Sequence, residues 1–201
     1  MKQESEAPAV IFLDIDGVLQ PYSSQKRFDH DLHELLKTLA EKYDDDLYLE
    51  LDRFDLGCIC FDWDIGAVER IRSICEDLEA KIVVSSDWRR GKSVEALKAY
   101  FRIHGLHYYV KDKTDNRKWR DKAPEHSRAG EVKEYLDAHP EIERFVIIDD
   151  GYRDEFEKLY PEQFVHTRSR MNFDNEVRAR QILSGQPPQP NEPGAPSFFG
   201  L

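Results

Sequence analysis

With 201 residues, the chain is long enough to bury one hydrophobic core without a disulfide scaffold or a structural metal. Its apolar content of 40% and charged content of 34% are those of a globular protein rather than a disordered or membrane-spanning one. The net charge of −11 argues against broad, non-specific nucleic-acid binding, and three cysteines are too few for a disulfide framework. We therefore expect one domain with reduced thiols, a cytoplasmic location and no membrane partner.

Short apolar runs alternate with segments of helical periodicity along most of the chain. Several of the runs are almost continuously apolar, as strands buried on both faces are. In chain order, the predicted elements are a strand at 9–14, a helix at 29–42, an insert at about 43–64, a helix at 65–79, a strand at 81–86, a helix at 93–104, a short strand at 107–110, a helix at 127–138, a strand at 144–151, a short strand near 163–166 and a helix near 173–184. This alternation predicts an α/β fold, a Rossmann-like three-layer sandwich with a mostly parallel central sheet.

Two segments do not fit the alternation. The stretch 43–64 (YDDDLYLELDRFDLGCICFDWD) is acidic and partly alternating, and we interpret it as a small insert that holds one or two short strands. Its role is open between a small cap that selects substrates and a flap without selectivity. Residues 185–201 are rich in Pro and Gly, which predicts a flexible tail after a single domain at 1–184. The tail is either a loose terminus or, through Phe198 and Phe199, a contact for a protein partner.

Acidic and hydroxyl side chains follow three of the predicted buried strands. Asp14 and Asp16 follow the first strand, Ser85 ends the second, and Asp149 and Asp150 end the third. Because ligands of parallel sheets bind beyond the carboxyl ends of the strands, we expect these side chains to converge. Grouped carboxylates repel one another unless a cation joins them, and hard oxygen ligands suit Mg²⁺. An Asx-type turn would explain Asp14 and Asp16 alone, but not the matching ends of the other strands.

These motifs resemble those of the haloacid dehalogenase (HAD) superfamily of phosphatases and phosphotransferases. The first HAD motif, a strand followed by DxDG[TV], is matched by the sequence DIDGV at 14–18. The second, a strand ending in Ser or Thr, is matched by KIVVSSDWR, and the fourth, a strand ending in paired acids, is matched by FVIIDD. The series FLDIDGVL, SSDWR, EVKEYL and FVIIDD is also similar to a HAD subgroup associated with bacterial RNA-repair proteins. The resemblance covers most of residues 9–150.

The resemblance implies roles for individual residues. Asp14 is expected to attack phosphorus and form an aspartyl-phosphate, with Asp16 as general acid and then general base. The second acid favours phosphatase over dehalogenase chemistry. Ser85 is expected to bind a phosphoryl oxygen, and Gly17 to allow a close backbone approach to the substrate. The implied Mg²⁺ ligands are Asp14, the backbone carbonyl of Asp16, and Asp149 or Asp150.

The third HAD motif, a Lys shortly before the helix that precedes the acidic strand, is not matched directly. The helix begins near Arg128, and Lys122 lies just upstream, so both are candidates for the cation that neutralises the developing charge. We prefer Arg128. Because the guanidinium group is a planar fork and not a point charge, the exchange for Lys changes how a phosphate is held.

Further substrate contacts are expected beside the second strand. The candidates are Ser86, Trp88 and Arg89, with Arg89 holding a substrate phosphate and Trp88 stacking on a base. The alternative is that Trp88 packs beneath the loop and the basic residues begin a solvated helix. The stretch 111–122, with six basic and three acidic residues and Trp119, is open between a nucleic-acid contact and an ordinary solvated loop.

The sequence thus predicts a Mg²⁺-dependent phosphohydrolase, with a phosphorylated nucleic-acid end or nucleotide as the leading substrate. The alternatives are a phosphatase for small metabolites or phosphoproteins, and a phosphate-binding module of the same fold without catalysis. The presence of both Asp14 and Asp16 favours an enzyme over the module, because a module that only holds phosphate has no need of both acids.

Overall fold

A sheet of five strands forms the centre of the protein in the computed structural model, which describes residues 8–115 and 127–186. The strands are β1 (Ala9–Leu13), β2 (Lys81–Val84), β3 (Val110–Lys113), β4 (Arg144–Asp149) and β5 (Phe164–His166). Their order is β3-β2-β1-β4-β5, and every pair of neighbours is parallel. The predicted α/β fold with a mostly parallel sheet is therefore confirmed.

Helices cover both faces of this sheet and give three layers. They are α1 (Leu32–Tyr43), α2 (Leu47–Glu50), α3 (Arg53–Gly57), α4 (Ile65–Asp77), α5 (Val94–Arg102), α6 (Arg128–Ala138), α7 (Arg153–Leu159) and α8 (Phe173–Leu183). Ile11 and Leu13 of β1 face the larger core, to which helices α1 to α5 and α8 contribute. Val10 and Phe12 face a smaller core with α6 and α7, so the strand is buried on both sides.

Polar side chains fix the starts of the helices. Asp31 accepts hydrogen bonds from the backbone N–H groups of His33 and Glu34 and thereby caps α1. Ser127 accepts the N–H of Gly130, so that α6 begins at Arg128. The cap therefore places the arginine in the first turn of α6.

The insert at 43–64 is helical, so the prediction of short strands there is wrong. It contains α2, α3 and a π-helical turn at Cys58–Asp62. Asp52 caps α3 by accepting two backbone N–H groups, a helix-start role that the acidic composition concealed. Tyr48 and Leu56 are fully buried in the larger core, so tertiary packing outweighs the local alternation of the sequence.

The short strand predicted at 107–110 lies three residues later, as β3. The N–H of Ile82 still donates to the carbonyl of Tyr109 at 2.8 Å, but the register with β2 shifts between Ile82 and Val83. Because β3 is an edge strand, it tolerates the polar residues that make 111–113 resemble a loop. Helix α7 was not predicted, while α8 and β5 agree with their predictions to within one residue.

Two of the sequence predictions lie outside the described residues. The first is the C-terminal part of the basic stretch, residues 116–122, which includes Trp119 and Lys122, and the second is the flexible tail beyond residue 186. Both stay predictions. Within the ranges 8–115 and 127–186, no helix combines the length and the apolar character needed to cross a bilayer.

The strand order creates a crevice beside β1. The chain runs from β1 to β2 and β3 on one side, and then crosses to β4 and β5 on the other. Loops that leave β1 and β4 therefore diverge at the carboxyl edge of the sheet, which is where open α/β sheets bind ligands.

Candidate active site

The carboxyl ends of three neighbouring strands bring Ser85, Asp14 and Asp149 side by side. The N–H of Asp14 donates to the carbonyl of Ile148 at 3.0 Å, and the N–H of Ser85 donates to that of Leu13 at 2.9 Å. The sheet ladder thus continues one residue beyond β1 and β2. Since side chains alternate between the two faces of a strand, all three side chains leave the sheet on the face that α6 covers.

Three carboxylates form a cluster that suits a cation. Oxygens of Asp14, Asp149 and Asp150 lie within 4.8 Å of one another. Oδ1 of Asp149 accepts the N–H of Gly151 at 2.7 Å, whereas Oδ2 is buried and has no hydrogen-bond partner in the described part of the chain. A buried, unpartnered oxygen among hard oxygen ligands fits Mg²⁺. The side chain of Asp16 is not part of the cluster, and the sequence had assigned it a ligand role only through its backbone carbonyl.

Burial and mutual repulsion raise the pKa values of these acids. Burial raises the pKa of Asp14 to about 6, although the charge of Arg128 and a hydrogen bond from Ser86 act in the opposite direction. Burial and the neighbouring charge of Asp14 raise the pKa of Asp149 well above its usual range. Both shifts show that the charged carboxylates are unfavourable in this site, and a divalent cation would stabilise them and lower the pKa values again.

A cavity of about 300 Å³ opens at this edge of the sheet. Its lining consists of Asp14, Asp16, Tyr22, Asp87, Arg128, Asp150, Gly151 and Tyr152. Asp14 and Asp16 therefore share one space with Arg128 and Asp150, which are distant from them in sequence. No residue of the insert 43–64 lines the cavity, so the insert does not cover it.

Arg128 is a buried cation at the cavity wall. Its Nη2 donates to a carboxylate oxygen of Asp87 at 2.6 Å, while Nε and Nη1 have no hydrogen-bond partner within residues 8–115 and 127–186. Burial alone would lower the pKa of Arg128, but the carboxylates of Asp14 and Asp149 outweigh it and raise the pKa. The guanidinium group thus stays charged and keeps two N–H-bearing atoms without a hydrogen-bond partner, although Nε lies 3.9 Å from a carboxylate oxygen of Glu131. Lys122 lies outside the described residues.

The two serines after β2 have different partners. The Ser86 side chain hydrogen-bonds Asp14 and accepts the backbone N–H of Trp88 at 3.4 Å. The hydroxyl of Ser85 is buried and, among the described residues, unpartnered. Ser86 thus contacts the expected nucleophile rather than standing free for substrate, and Ser85 is the hydroxyl that remains available.

Trp88 contacts Asp16 and packs beneath the loop. Its indole N–H donates to Oδ2 of Asp16 at 3.0 Å. The ring lies against Trp63 and Tyr100, with centroid distances of 6.3 and 6.2 Å. The structure thus places Trp88 in the packing alternative, where its ring is engaged by other aromatic rings and not presented to a base.

Arg89 does not reach the cavity, contrary to the prediction that it holds a substrate phosphate. It is 1% exposed and forms a buried ion pair with Glu131. Its other N–H groups donate to the carbonyls of Thr114 at 3.0 Å, of Asp115 at 3.1 Å and of Ser86. Arg89 therefore joins the turn after β2 to the end of β3 and to α6. All three of its guanidinium nitrogens are bonded to protein groups and do not face a substrate.

Gly17 allows a close approach, but to Asp150. The residue has a φ of +67°, in the left-handed region, and its N–H donates to the carbonyl of Gln20 at 2.8 Å. Its carbonyl accepts the hydroxyl hydrogen bond of Thr167 at 2.8 Å. The backbone N–H of Thr167 donates in turn to the carbonyl of Asp149 at 3.1 Å, so Thr167 joins the first acidic loop to the fourth strand.

Sequence reasoning missed several residues of this site. Thr167 directly follows the predicted strand near 163–166, so the rule applied to the other strand ends would have found it. Asp87 lies inside the quoted motif SSDWR. Tyr22 and Tyr152 carried no such pattern, although burial and the neighbouring carboxylate of Asp150 raise the pKa of the Tyr22 hydroxyl.

Taken together, the parallel sheet and the acids, hydroxyl and cation beyond its edge define a HAD-type domain of the hydrolase class. Residues 10–177 match the family described as "HAD domain in Swiss Army Knife RNA repair proteins". Because this match spans most of the chain, the chain belongs to that family, which confirms the resemblance to HAD proteins and to their RNA-repair subgroup. No curated protein and no solved structure gave a significant match to the chain.

Proposed function

We propose that the protein is a Mg²⁺-dependent phosphatase that acts on phosphorylated RNA ends or nucleotides through an aspartyl-phosphate on Asp14. The observation that carries the proposal is a set of buried polar atoms around this residue that have no hydrogen-bond partner within the described ranges. They are Oδ2 of Asp149, Oγ of Ser85, and Nε and Nη1 of Arg128. Each such atom costs about 1–3 kcal/mol when it stays unsatisfied. The acceptor suits a cation and the donors suit an anion, which together describe a metal and a phosphoryl group.

In the first step, an oxygen of Asp14 forms a bond to phosphorus while the bond from phosphorus to the leaving oxygen breaks. Asp16 gives its proton to that oxygen, so that the product leaves as a hydroxyl group. Arg128 and Ser85 donate hydrogen bonds to the phosphoryl oxygens, on which negative charge builds up.

In the second step, water forms a bond to the same phosphorus atom and transfers a proton to Asp16. The bond between phosphorus and Asp14 breaks, which returns the Asp14 carboxylate and releases inorganic phosphate. Asp16 must therefore carry a proton in one step and lack it in the next. Burial raises the pKa of Asp16 above its ordinary value, which makes the protonated form more accessible.

The carboxylate cluster fits the cation that HAD proteins use. Asp14, Asp149 and Asp150 would hold Mg²⁺, and the unpartnered Oδ2 of Asp149 is the atom that most needs such a partner. When bound, the ion supplies charge neutralisation between the anionic nucleophile and the phosphate. Arg128 adds a fixed positive charge from the protein itself.

The choice of an RNA end as the substrate rests on the family and on the open cavity. The family is described by its occurrence in RNA-repair proteins. The cavity is lined by loops from the sheet edge and not by the insert, so a long chain has access to it. Both observations favour a terminal phosphate on a large molecule.

The test is the release of inorganic phosphate by the full chain, with Mg²⁺ or with EDTA. The substrates are oligoribonucleotides phosphorylated at the 5′ or the 3′ end, a sugar phosphate and a phosphopeptide. We expect the fastest release from an oligoribonucleotide, no release with EDTA, and a loss of roughly 10³-fold or more in Asp14→Asn. Asp137→Asn, at an exposed position in the last turn of α6, is the matched control and is expected to keep full activity.

Three outcomes would contradict parts of the proposal. Equal turnover of all substrates would remove the RNA assignment, and faster turnover of the sugar phosphate or phosphopeptide would replace it. Absence of turnover with every substrate, combined with binding of inorganic phosphate, would favour a non-catalytic phosphate-binding module.

A further inference from the structure

The turn after β2 contacts three groups of the proposed mechanism, each through a different residue. This turn, residues 86–89, includes a short 3₁₀ helix at Asp87–Arg89. The contacts are Ser86 to Asp14, Asp87 to Nη2 of Arg128 at 2.6 Å, and Trp88 to Oδ2 of Asp16 at 3.0 Å. Arg89 anchors the turn through its buried ion pair with Glu131. The turn therefore links the nucleophile, the cation and the acid–base residue in one rigid segment.

We propose that Trp88 is a positioning residue for Asp16: its indole N–H fixes Oδ2, so that Oδ1 carries the proton that is passed to the leaving group. The inference rests on the proposed function. It gives Trp88 a role that differs from the two predicted from the sequence, which were stacking on a base and packing beneath the loop. Trp88 acts through Asp16 and touches no reacting atom itself.

The chemistry of the indole group determines which oxygen bears the proton. An indole N–H donates a hydrogen bond but never accepts one. In a protonated carboxyl group, the carbonyl oxygen accepts hydrogen bonds better than the hydroxyl oxygen. The indole N–H therefore binds the carbonyl oxygen, and the acidic hydrogen is on the other oxygen. The contact of 3.0 Å to Oδ2 thus leaves Oδ1 of Asp16 as the proton-bearing oxygen. In the first step the O–H bond at Oδ1 breaks as the new O–H bond of the product forms.

Packing around the ring keeps the donor in place. Trp63 is inclined to the Trp88 ring by 60°, and Tyr100 meets it edge-on at 83°. The hydroxyl of Tyr100 donates to Asp55 at 3.0 Å, which fixes that ring in turn. At the other end, Oγ of Ser86 accepts the backbone N–H of Trp88. A side chain held in this way restricts the rotation of the carboxylate that it binds, as a preorganised acid requires.

The position of Asp16 explains why it needs such a partner. Its side chain lines the cavity but lies outside the carboxylate cluster, so a cation there would not fix its orientation. The nearby carboxylates of Asp150 and Asp87 repel it. An uncharged donor bonded to one carboxylate oxygen is therefore a means by which the fold can hold Asp16 in one orientation.

A spectroscopic test detects the hydrogen bond between Trp88 and Asp16 and does not depend on enzyme activity. The chain has three tryptophans, so a ¹⁵N-tryptophan-labelled sample gives three indole N–H signals, and Trp88→Phe identifies that of Trp88. We expect Asp16→Asn to move the Trp88 signal upfield, because a carboxylate acceptor is replaced by a neutral amide, and to leave the Trp63 signal in place. A Trp88 signal that stays unmoved would overturn the proposal.

A kinetic test measures whether Trp88 assists the proton transfer by Asp16. The probes are p-nitrophenyl phosphate, whose phenolate leaves without help from an acid, and a phosphorylated oligoribonucleotide, whose alkoxide does not. kcat/KM reports the steps up to loss of the leaving group, so it isolates the proton transfer by Asp16. In Trp88→Phe we expect kcat/KM to fall at least about tenfold for the oligonucleotide and less than about threefold for p-nitrophenyl phosphate, within the range of general acid catalysis.

Trp63→Phe is the matched control, since it makes the same exchange in the adjacent ring. The indole nitrogen of Trp63 is buried without a hydrogen-bond partner among the described residues, so its removal leaves Asp16 untouched. An equal loss on both substrates in Trp88→Phe, or a substrate-selective loss in Trp63→Phe as large as that in Trp88→Phe, would overturn the positioning role. If the wild type hydrolyses neither substrate, the proposed function fails while the spectroscopic test still decides the contact. If Trp88→Phe does not fold, Trp63→Phe and Trp119→Phe identify the other two indole signals, and Asp16→Asn still tests the contact because it retains the indole of Trp88.

Discussion

A β-carbon placed on Gly17 would lie 2.1 Å from Oδ2 of Asp150. The acid that follows β4 thus packs directly against the backbone of the loop that follows β1, with no room for a side chain between them. The approach brings Asp150 into the cluster with Asp14 and Asp149. The glycine of the first motif therefore shapes the carboxylate cluster, whatever it does for the substrate.

Gly17→Ala is expected to abolish Mg²⁺ binding, because the added methyl group has to displace the Asp150 carboxylate. The measurement is the increase in melting temperature caused by Mg²⁺, supported by calorimetric titration. Gly185→Ala is the matched control: its φ of +64° imposes the same backbone strain, but no atom lies within 4 Å of the new carbon. Equal Mg²⁺ responses in the two variants would show that the contact with Asp150 does not matter.

Asp149→Asn is expected to remove the stabilisation by Mg²⁺ altogether. For the wild type, ligand binding to the folded state contributes about 2.7 kcal/mol to the free energy of unfolding at a Mg²⁺ concentration of 100 times Kd. Asp87→Asn is the control, since Asp87 lines the same cavity but is not part of the cluster. Urea denaturation with and without Mg²⁺ measures both, and a retained increment in Asp149→Asn would place the ion elsewhere.

The pH dependence of stability in the absence of metal should reveal the buried Asp14. Its pKa is raised from 3.8 to about 6 in the folded protein, so between these pH values the folded state binds a proton that the unfolded state has lost. The free energy of unfolding therefore falls as the pH rises through this window, by up to about 3 kcal/mol. Below pH 4 both states are protonated and this penalty is absent.

Asp14→Asn removes this titration and should be more stable than the wild type at pH 7, with the difference shrinking towards zero at pH 4. Urea denaturation in EDTA at several pH values measures the difference. Asp137→Asn, an exposed acid, is expected to show no such trend. A stability difference for Asp14→Asn that is independent of pH would show that burial does not control this carboxylate.

Breaking the buried ion pair between Arg89 and Glu131 should destabilise the fold. Both side chains are almost fully buried, at 2% and 3% exposure. Glu131→Gln leaves the guanidinium charge with a neutral partner, for which a cost of about 3–5 kcal/mol is typical. In the exposed pair of Arg153 and Glu157, Glu157→Gln should cost less than about 1 kcal/mol. Urea denaturation compares the two. An unchanged stability in Glu131→Gln with a raised KM would return Arg89 to the substrate role that the sequence suggested.

The parts of the site that could be predicted lie at strand ends. Three apolar runs end in Asp14, Ser85 and Asp149, and parallel pairing alone brings such positions to one edge. The roles of residues after β2 could not be assigned in this way. Whether Trp88 and Arg89 point to the cavity or away from it depends on the path of the 3₁₀ turn, which is set by partners far along the chain such as Glu131.

The helical insert was not predictable from local pattern for a related reason. Its acids cap helices or pair with distant residues, as Asp62 does with Arg27 and Ser24. Neither role produces a regular spacing of residues in the sequence. These contacts fasten the 3₁₀ turn at Lys26–Asp29, in the loop after the first motif. Tertiary partners therefore decide the conformation of this segment.

Thr167→Val should weaken both the fold and the metal site. The exchange keeps the shape of the side chain but removes the hydroxyl that donates to the carbonyl of Gly17 at 2.8 Å. The lost bond and the buried carbonyl left without this donor should cost about 1–3 kcal/mol in the free energy of unfolding. Because Gly17 abuts Asp150, the loosened loop should also raise the Kd for Mg²⁺.

Thr38→Val is the control for this exchange. The hydroxyl of Thr38 likewise donates to a backbone carbonyl, that of Glu34 at 3.0 Å, but on the exposed surface of α1, where water replaces the lost bond. We expect a change below about 0.5 kcal/mol and an unchanged Mg²⁺ affinity. Urea denaturation and calorimetric titration measure both quantities. If Thr167→Val lowered stability as expected but kept the Mg²⁺ affinity of the wild type, the hydroxyl would support the fold without holding the Gly17 loop against the carboxylate cluster.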